Sequence, residues 1–228
     1  MIITDFIFTQ FKTLSKKMSR RNLYEWLETE VKKVKFNASD NAKILNIGSG
    51  GALYNTIKDN GLSPTQIDID ADRNPDIVAD ICNLNMIENN SIDAIFMMEV
   101  LEHVKTPDLA IKELFRTLKP DAPLILSTPF IFPIHDAPHD YYRYTRYGLA
   151  HLLQDFDDVV IRERNDYISA LYVVCARSIM ADNRKNRWVG VLLFAYMLLN
   201  YPVLWGLSKF YKNPQGTTGY FVTARKPK

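Results

Sequence analysis

From Lys43 onward the chain alternates short apolar runs with helical stretches, and this alternation constrains its fold more than any other feature. Such an order implies a parallel sheet covered on both faces, because each crossover lays a helix over the sheet. KILNIG (43–48) reads as a first strand running into the turn GSGG (48–51), and Ala52–Asn60 as a helix closed by Gly61. QIDID (66–70) reads as the second strand, DIVAD (76–80) as a short third, IDAIFMM (92–98) as the fourth and PLILSTP (123–129) as the fifth. Thr106 and Pro107 mark a helix start, with Ile111, Leu114, Phe115 and Leu118 as its inner stripe and Pro120 as its stop. Thr145 caps a helix through Leu149, Leu152 and Leu153, before a sixth strand DVVIRER (158–164) and a last one, GYFVTAR (219–225). Ahead of this series, Arg21–Lys35 reads as one more helix.

A strand, a tight glycine turn and a helix bring backbone close to a ligand and turn helix N–H groups toward an anion. Gly48 and Gly50 supply the permissive dihedrals, but the dinucleotide fingerprint GxGxxG fails because its third position is Leu53. Asp70 ends QIDID about twenty residues after the glycines, where a carboxylate can accept both ribose hydroxyls. Alternation puts Ile67 and Ile69 on one side and Asp68 and Asp70 on the other. Asp70 is nearer the carboxyl end, where ligands bind in open sheets, and is preferred. Asp80 closes the third strand and can accept from an exocyclic adenine amine. Together at one sheet edge they favour a nucleoside site.

ILNIGSGG, the acidic end of QIDID, VAD, IDAIFMMEVLEHV and LFRTLKPDAPLILSTP, in that order, resemble class I S-adenosylmethionine-dependent methyltransferases. Within that class the chain is similar to the type 11 methyltransferases, including ubiquinone/menaquinone-biosynthesis-like members, over roughly Lys43–Phe156. The resemblance implies a Rossmann-like methyltransferase fold: a mostly parallel sheet of about seven strands with helices on both faces, the last strand antiparallel, and a helical insertion before it. It implies that Gly48, Ser49 and Gly50 hold the methionine end of S-adenosyl-L-methionine. It makes Asp70 the ribose ligand, Asp80 and Ile81 the adenine contact, and Met98 and Glu99 the wall beside the sulfonium. Asn46 stands where the family often has Asp or Glu, which shifts weight to Glu99. His103, in LEHV, is given mostly an architectural part.

Methyl transfer from a sulfonium is a displacement with an activated donor, so alignment and exclusion of water carry much of the rate. A base is needed only if the acceptor holds its proton. The acceptor is expected at the loop after the fifth strand, PFIFPIHDAPHDYYRYT (129–145). His135 and His139 are the candidate catalytic bases, Tyr142 and Tyr144 can stack on a ring, and Arg143 can meet an anionic group. No metal is expected, since Pro138 argues against a shared helical face for the two histidines. A structural loop rich in hydrogen bonds is the competing reading. HDYYRYT resembles a segment of type 11 methyltransferases from polysaccharide gene sets, which points to a sugar or lipid-linked acceptor.

The formal charge of +2 over 228 residues hides three regions. Residues 1–35 carry eight basic and four acidic side chains, 36–140 seven and sixteen, and 141–228 thirteen and six. The acidic centre would repel phosphate, so no nucleic-acid partner is expected. Trp188–Leu207 is twenty residues without a charge, bordered by Arg184, Lys185, Arg187, Lys209 and Lys212. Its length fits a membrane span, yet a single crossing would strand GYFVTAR on the wrong side of the bilayer. The alternatives are an in-plane helix, a shallow re-entrant hairpin bent at Pro202, or an apolar lid on the domain or on a second subunit of a homodimer. Ile3, Phe6, Ile7, Phe11 and Leu14 recur at helical spacing beside Lys12, Lys16 and Lys17, as a docked or membrane-surface helix. Cys82 and Cys175 fit buried thiols in a reducing cytoplasm, and no signal peptide is read. The expected location is cytoplasmic or peripheral on the inner face of the membrane.

The expected organisation is a helical cap at 1–42, a cofactor-binding core at 43–166, an apolar helical insertion at 167–215, and a final core strand and tail at 216–228. The expected activity is an enzyme moving a methyl group to an oxygen or nitrogen of a small-molecule, sugar or lipid-linked acceptor. The alternatives are a membrane-associated binding module without turnover and a nicotinamide-dependent oxidoreductase.

Overall fold

The structure is a computed structural model, and it describes residues 13, 15–178, 187–210 and 216–228. The helix expected from Ile3 onward and the basic positions Arg184, Lys185 and Lys212 lie outside the described residues.

Packing divides the chain into two units, one of 23–129, 136–162 and 220–228, and one of the described residues of 1–22, 130–135 and 163–219. In the first unit, helix α1 (Leu23–Asn37) is followed by strand β1 (Ile44–Ile47), helix α2 (Gly51–Asp59) and strands β2 (Thr65–Asp68), β3 (Ile77–Val78) and β4 (Ala94–Met98). Helix α3 (Pro107–Thr117), strand β5 (Pro123–Pro129), helix α4 (Arg146–Leu152) and strand β6 (Asp157–Glu163) come next. Helices α5 (Tyr167–Ser178), α6 (Arg187–Leu199) and α7 (Tyr201–Phe210) precede strand β7 (Gly219–Arg225).

Among the described residues seven strands form one sheet in the order β3-β2-β1-β4-β5-β7-β6. The first five are parallel, with Ile47 facing Ile67 and Met97, and Phe96 facing Ile125. Strand β7 runs antiparallel to β5: Asp121 N–H donates to the Lys226 carbonyl at one end, and Phe130 N–H to the Thr218 carbonyl at the other. All five residues of β4 are buried. That is the reason its sequence is continuously apolar rather than alternating: a central parallel strand is covered on both faces. Leu23, Leu27, Val31 and Val34 of α1 recur at helical spacing and are all buried, in a cluster with Leu53, Ile57, Phe96 and Phe221.

The expected strands and helices of the sheet region are present, most with ends shifted by one or two residues, and two departures are instructive. Strand β2 ends at Asp68, two residues before the expected end, so Ile69 is 71% exposed while Ile67 is 1%. The alternation that paired these two isoleucines stops with the strand. Thr106 precedes Pro107 at the start of α3, but its side chain makes no cap bond. Its hydroxyl lies 3.2 Å from Cys82 Sγ instead. Thr145, by contrast, caps α4 as expected, accepting from Gly148 N–H at 3.1 Å.

In the second unit α5 supplies the buried centre, with Tyr172 and Ala176 packed against Met18, Ile168, Cys175 and Leu204. The apolar stretch expected to bend at Pro202 breaks at Asn200. Pro202 sits in the first turn of α7, where a missing N–H costs nothing. Among the described residues no helix is long and apolar enough to cross a membrane.

Candidate active site

At the carboxyl end of β1 the chain turns at Gly48, whose φ is 87°. Its N–H donates to the Ile67 carbonyl at 2.8 Å, so the turn is fastened to β2. A Cβ there would stand 2.7 Å from Val100 Cγ2, which only glycine avoids. Gly50 has φ 70° and open space where a Cβ would project. Asn46, buried beneath the turn, donates from its side-chain amide to the Gly48 carbonyl. The family-typical acid at this position would lack that donor.

Asp68 organises the turn. One carboxylate oxygen accepts from Ser49 N–H at 2.7 Å and the other from Asp70 N–H at 3.0 Å. Asp70 in turn caps the short turn Ala71–Arg73 by accepting from Asp72 N–H at 3.0 Å. Its side chain is 51% exposed and lies 3.6 Å from Arg73 Nε. Past β3, Asp80 accepts from Cys82 N–H at 2.9 Å. Burial lifts the Cys82 thiol above its usual pKa, so it is a poor nucleophile.

At the end of β4, Glu99 has φ 57°, a left-handed backbone for a non-glycine residue. It is held there by Ser127: Glu99 N–H donates to the Ser127 carbonyl at 2.9 Å, and the Ser127 hydroxyl to Glu99 Oε1 at 2.9 Å. His103 Nδ1 donates to the His139 carbonyl at 2.6 Å, and Tyr141 N–H to the Glu102 carbonyl at 2.9 Å. These two bonds fasten the loop after β5 beside the end of β4. The His139 imidazole Nδ1 and the Tyr141 hydroxyl are 3.0 Å apart.

These elements enclose a cleft of about 550 Å3, a size that takes a nucleoside-bearing ligand. Of the residues expected to bind cofactor, Gly48, Asp70, Asp80, Ile81 and Glu99 line it. Ser49 and Gly50 of the turn, and Met98, buried in β4, are not among the residues that line it. Of the two candidate bases, His139 lines the cleft. His135 belongs to the other unit, where its ring stands edge-on to Phe132 at 5.4 Å.

The expected acceptor residues are turned to other work. Tyr142 and Tyr144 stack on each other at 5.7 Å and donate to the carbonyls of Lys105 and Leu101. Arg143 is paired with Asp140, with contacts of 2.6 Å to both carboxylate oxygens. Burial pushes the Tyr144 phenol well above its ordinary pKa. The cleft instead receives Asp136, Tyr141, His103 and Lys105, which local sequence did not single out for it. Asp136 and Tyr141 carried a signal as acidic and aromatic members of the loop after β5, and His103 as part of LEHV.

The methyltransferase domain family model matches residues 45–126. That span runs from β1 through the glycine turn and Asp70 to β5. Residues 45–126 are similar to the type 11 methyltransferase domain. Solved structures agree on the fold of the methyltransferase domain. Phosphoethanolamine N-methyltransferase 2 of Haemonchus contortus superposes with a TM-score of 0.55 and 16% identity over 90% of this chain. The chain spans 56% of that enzyme's length. A SAM-dependent methyltransferase of Archaeoglobus fulgidus gives 0.56 and 14% identity, covering 89% of this chain and 94% of that one. The cyclase SpnF gives 0.53 and 18%, covering 88% and 81%. None of the curated proteins matches this chain by sequence. The methyltransferase cofactor is S-adenosylmethionine, and the residues present fit it. The Gly48 turn lets a ligand meet bare backbone, and carboxylates stand along the rim where hydroxyl and amine donors would come.

The rim beside Asp80 is braced from behind. Glu113 accepts from Leu84 N–H at 2.8 Å and from Arg116, which also donates to the carbonyls of Leu84 and Ile87. The hydrogen bond from Arg116 holds the Glu113 carboxyl below its usual pKa. A depressed folded pKa adds stability above the unfolded value and loses it as pH falls through the folded one. Urea melts from pH 7 down to pH 3 are therefore expected to show a steeper acid loss for the native protein than for Glu113→Gln.

Proposed function

We propose that this chain is an enzyme that transfers a methyl group from S-adenosylmethionine to an oxygen or nitrogen of a small-molecule, sugar or lipid-linked acceptor by direct displacement. The observation carrying this reading is the continuity of one cleft from the Gly48 turn and the Asp70 and Asp80 carboxylates to His139 and Tyr141. In this reading Gly48, Ser49 and Gly50 receive the methionine end, Asp70 accepts the ribose hydroxyls, and Asp80 and Ile81 meet the adenine. Glu99 stands near the amino-acid end. Bound, the cofactor supplies an electrophilic methyl group on a sulfonium.

The chain's own work is orientation, exclusion of water and proton removal. His139, hydrogen-bonded to Tyr141, is the candidate base for an acceptor hydroxyl or ammonium. His103 acts through it as a positioning residue, since its bond to the His139 carbonyl fixes the loop. Carboxylates outnumber cations in the lining, with Asp68, Asp70, Asp80, Glu99 and Asp136 against Arg73 and Lys105. Such a lining favours a neutral or cationic acceptor over a phosphorylated one.

The test is incubation of the purified protein with S-adenosylmethionine and fractionated sugars, amines and prenyl-linked glycans. S-adenosylhomocysteine and an acceptor heavier by one methyl group are the expected products. His139→Gln is expected to lower kcat by about 100-fold or more on a hydroxyl acceptor and to flatten the pH–rate profile. Tyr141→Phe is expected to lower it only several-fold, about one hydrogen bond's worth. Binding of cofactor without turnover is the second reading. Asn46, standing where the family often has Asp or Glu, favours it. Cofactor heat without any S-adenosylhomocysteine from any fraction would select it.

A further inference from the structure

Helix α6 is apolar on every side, yet its described side chains meet solvent. Leu192 is 59% exposed, Tyr196 65% and Leu199 82%, and Val203 of α7 follows at 63%. A helix apolar all round belongs in a protein core or in lipid, not in water. Asn200, at the break between α6 and α7, donates its side-chain amide to the Tyr196 carbonyl at 2.8 Å, so this polar side chain bonds back within the element. Between residues 183 and 212 the sequence has five Lys or Arg and no Asp or Glu, all of them outside the apolar run.

Length decides how deep such an element can reach. At 1.5 Å per residue α6 is about 20 Å long and α7 about 15 Å, against about 30 Å of hydrocarbon in a bilayer. Each helix matches about one leaflet. The stretch that holds α5, α6 and α7 begins and ends at one point of the fold. Arg164 N–H donates to the Gly219 carbonyl at 3.0 Å, and the Asn165 side chain bonds Thr218 N–H at 2.9 Å and the Thr218 hydroxyl at 2.8 Å. Helix α5 is the element's floor, with Tyr172 edge-on to Tyr201 at 5.3 Å.

We propose that α6 and α7 form a re-entrant element that inserts into one leaflet of an anionic bilayer, with Asn200 at the deep end. Apolar burial supplies the insertion, and the excess of Lys and Arg in the flanking sequence selects negatively charged lipid. The inference goes beyond the methyl-transfer reading and does not depend on which acceptor is used.

The test is flotation of the full chain with vesicles of phosphatidylglycerol and phosphatidylcholine, and of phosphatidylcholine alone, at low and high salt. Leu192→Glu/Leu199→Glu is the variant, at exposed positions that a folded chain tolerates in water. The native protein is expected to float with the anionic vesicles and the variant to partition about tenfold or more less. Cofactor heat is expected to be equal in both, which separates lost insertion from lost folding and from failure of the methyl-transfer reading. Equal flotation of native and variant protein overturns the proposal. So does absence of flotation with anionic vesicles, or a native dimer in light scattering that the same substitutions dissociate without any lipid binding.

Discussion

Gly48→Val is expected to abolish measurable cofactor binding in a protein that still folds. The backbone at Gly48 has φ 87°, and a Cβ added there meets Val100 Cγ2 at 2.7 Å. Two penalties combine. A left-handed conformation costs a side-chain-bearing residue about 1–2 kcal/mol, and more when it is β-branched. The contact also forces Val100 outward, and Val100 is itself part of the cleft wall. A loss of affinity of about 100-fold or more follows, since each 1.4 kcal/mol is a factor of ten. Gly51→Ala separates the two penalties: Gly51 has φ 85° but nothing within 4 Å of its added Cβ. It is expected to lower the melting temperature by a few degrees and to leave affinity within about threefold. Calorimetric titration with S-adenosylmethionine, paired with thermal melts, reads both. Native-like affinity in Gly48→Val would remove the turn from the cofactor site.

The order of strands and helices was legible because it rests on local periodicity. PLILSTP became β5 residue for residue, and GYFVTAR became β7. The alternation in QIDID was misleading at its end, because the strand stops where Asp68 bends back to take two backbone N–H groups. That the Gly48 turn, Asp70, Asp80, Ile81 and Glu99 fall along one cleft was legible because they follow one another at the carboxyl edge of the sheet. The acceptor end was not. Tyr142, Arg143 and Tyr144 have the right chemistry, but their partners are Lys105, Asp140 and Leu101, and two of those lie about forty residues away. His135 and His139 are four apart in sequence and fall in different units. The apolar run was legible as helical, but its break at Asn200 shows only once helix length is known.

Asp68→Ala should cost the protein both its fold margin and its cofactor, whereas Asp70→Ala should cost the cofactor alone. The two residues are alternate members of one acidic strand end, and sequence favoured the second. Asp68 accepts from Ser49 N–H and Asp70 N–H, one with each oxygen. Removing it leaves the partly buried Ser49 N–H without its acceptor, at about 1–3 kcal/mol, and returns the exposed Asp70 N–H to water. For a chain of this size that is a fall in melting temperature of about 5 °C. The Ser49 turn loses its anchor with it, so cofactor heat should vanish as well. The Asp70 side chain is 51% exposed, and its partners within the protein are Asp72 N–H and a 3.6 Å approach of Arg73. Its loss should change stability by about 1 kcal/mol or less. Its value lies in the charge-assisted bonds it offers ribose hydroxyls, about 1.5–3 kcal/mol, so affinity should fall by about 10- to 100-fold. Urea melts and titrations on the two variants separate these roles. Asp68→Asn, which keeps one accepting oxygen, should fall between native protein and Asp68→Ala in stability. Equal melting of the Asp68 and Asp70 alanine variants would contradict the division of labour between an organising carboxylate and a ligand carboxylate.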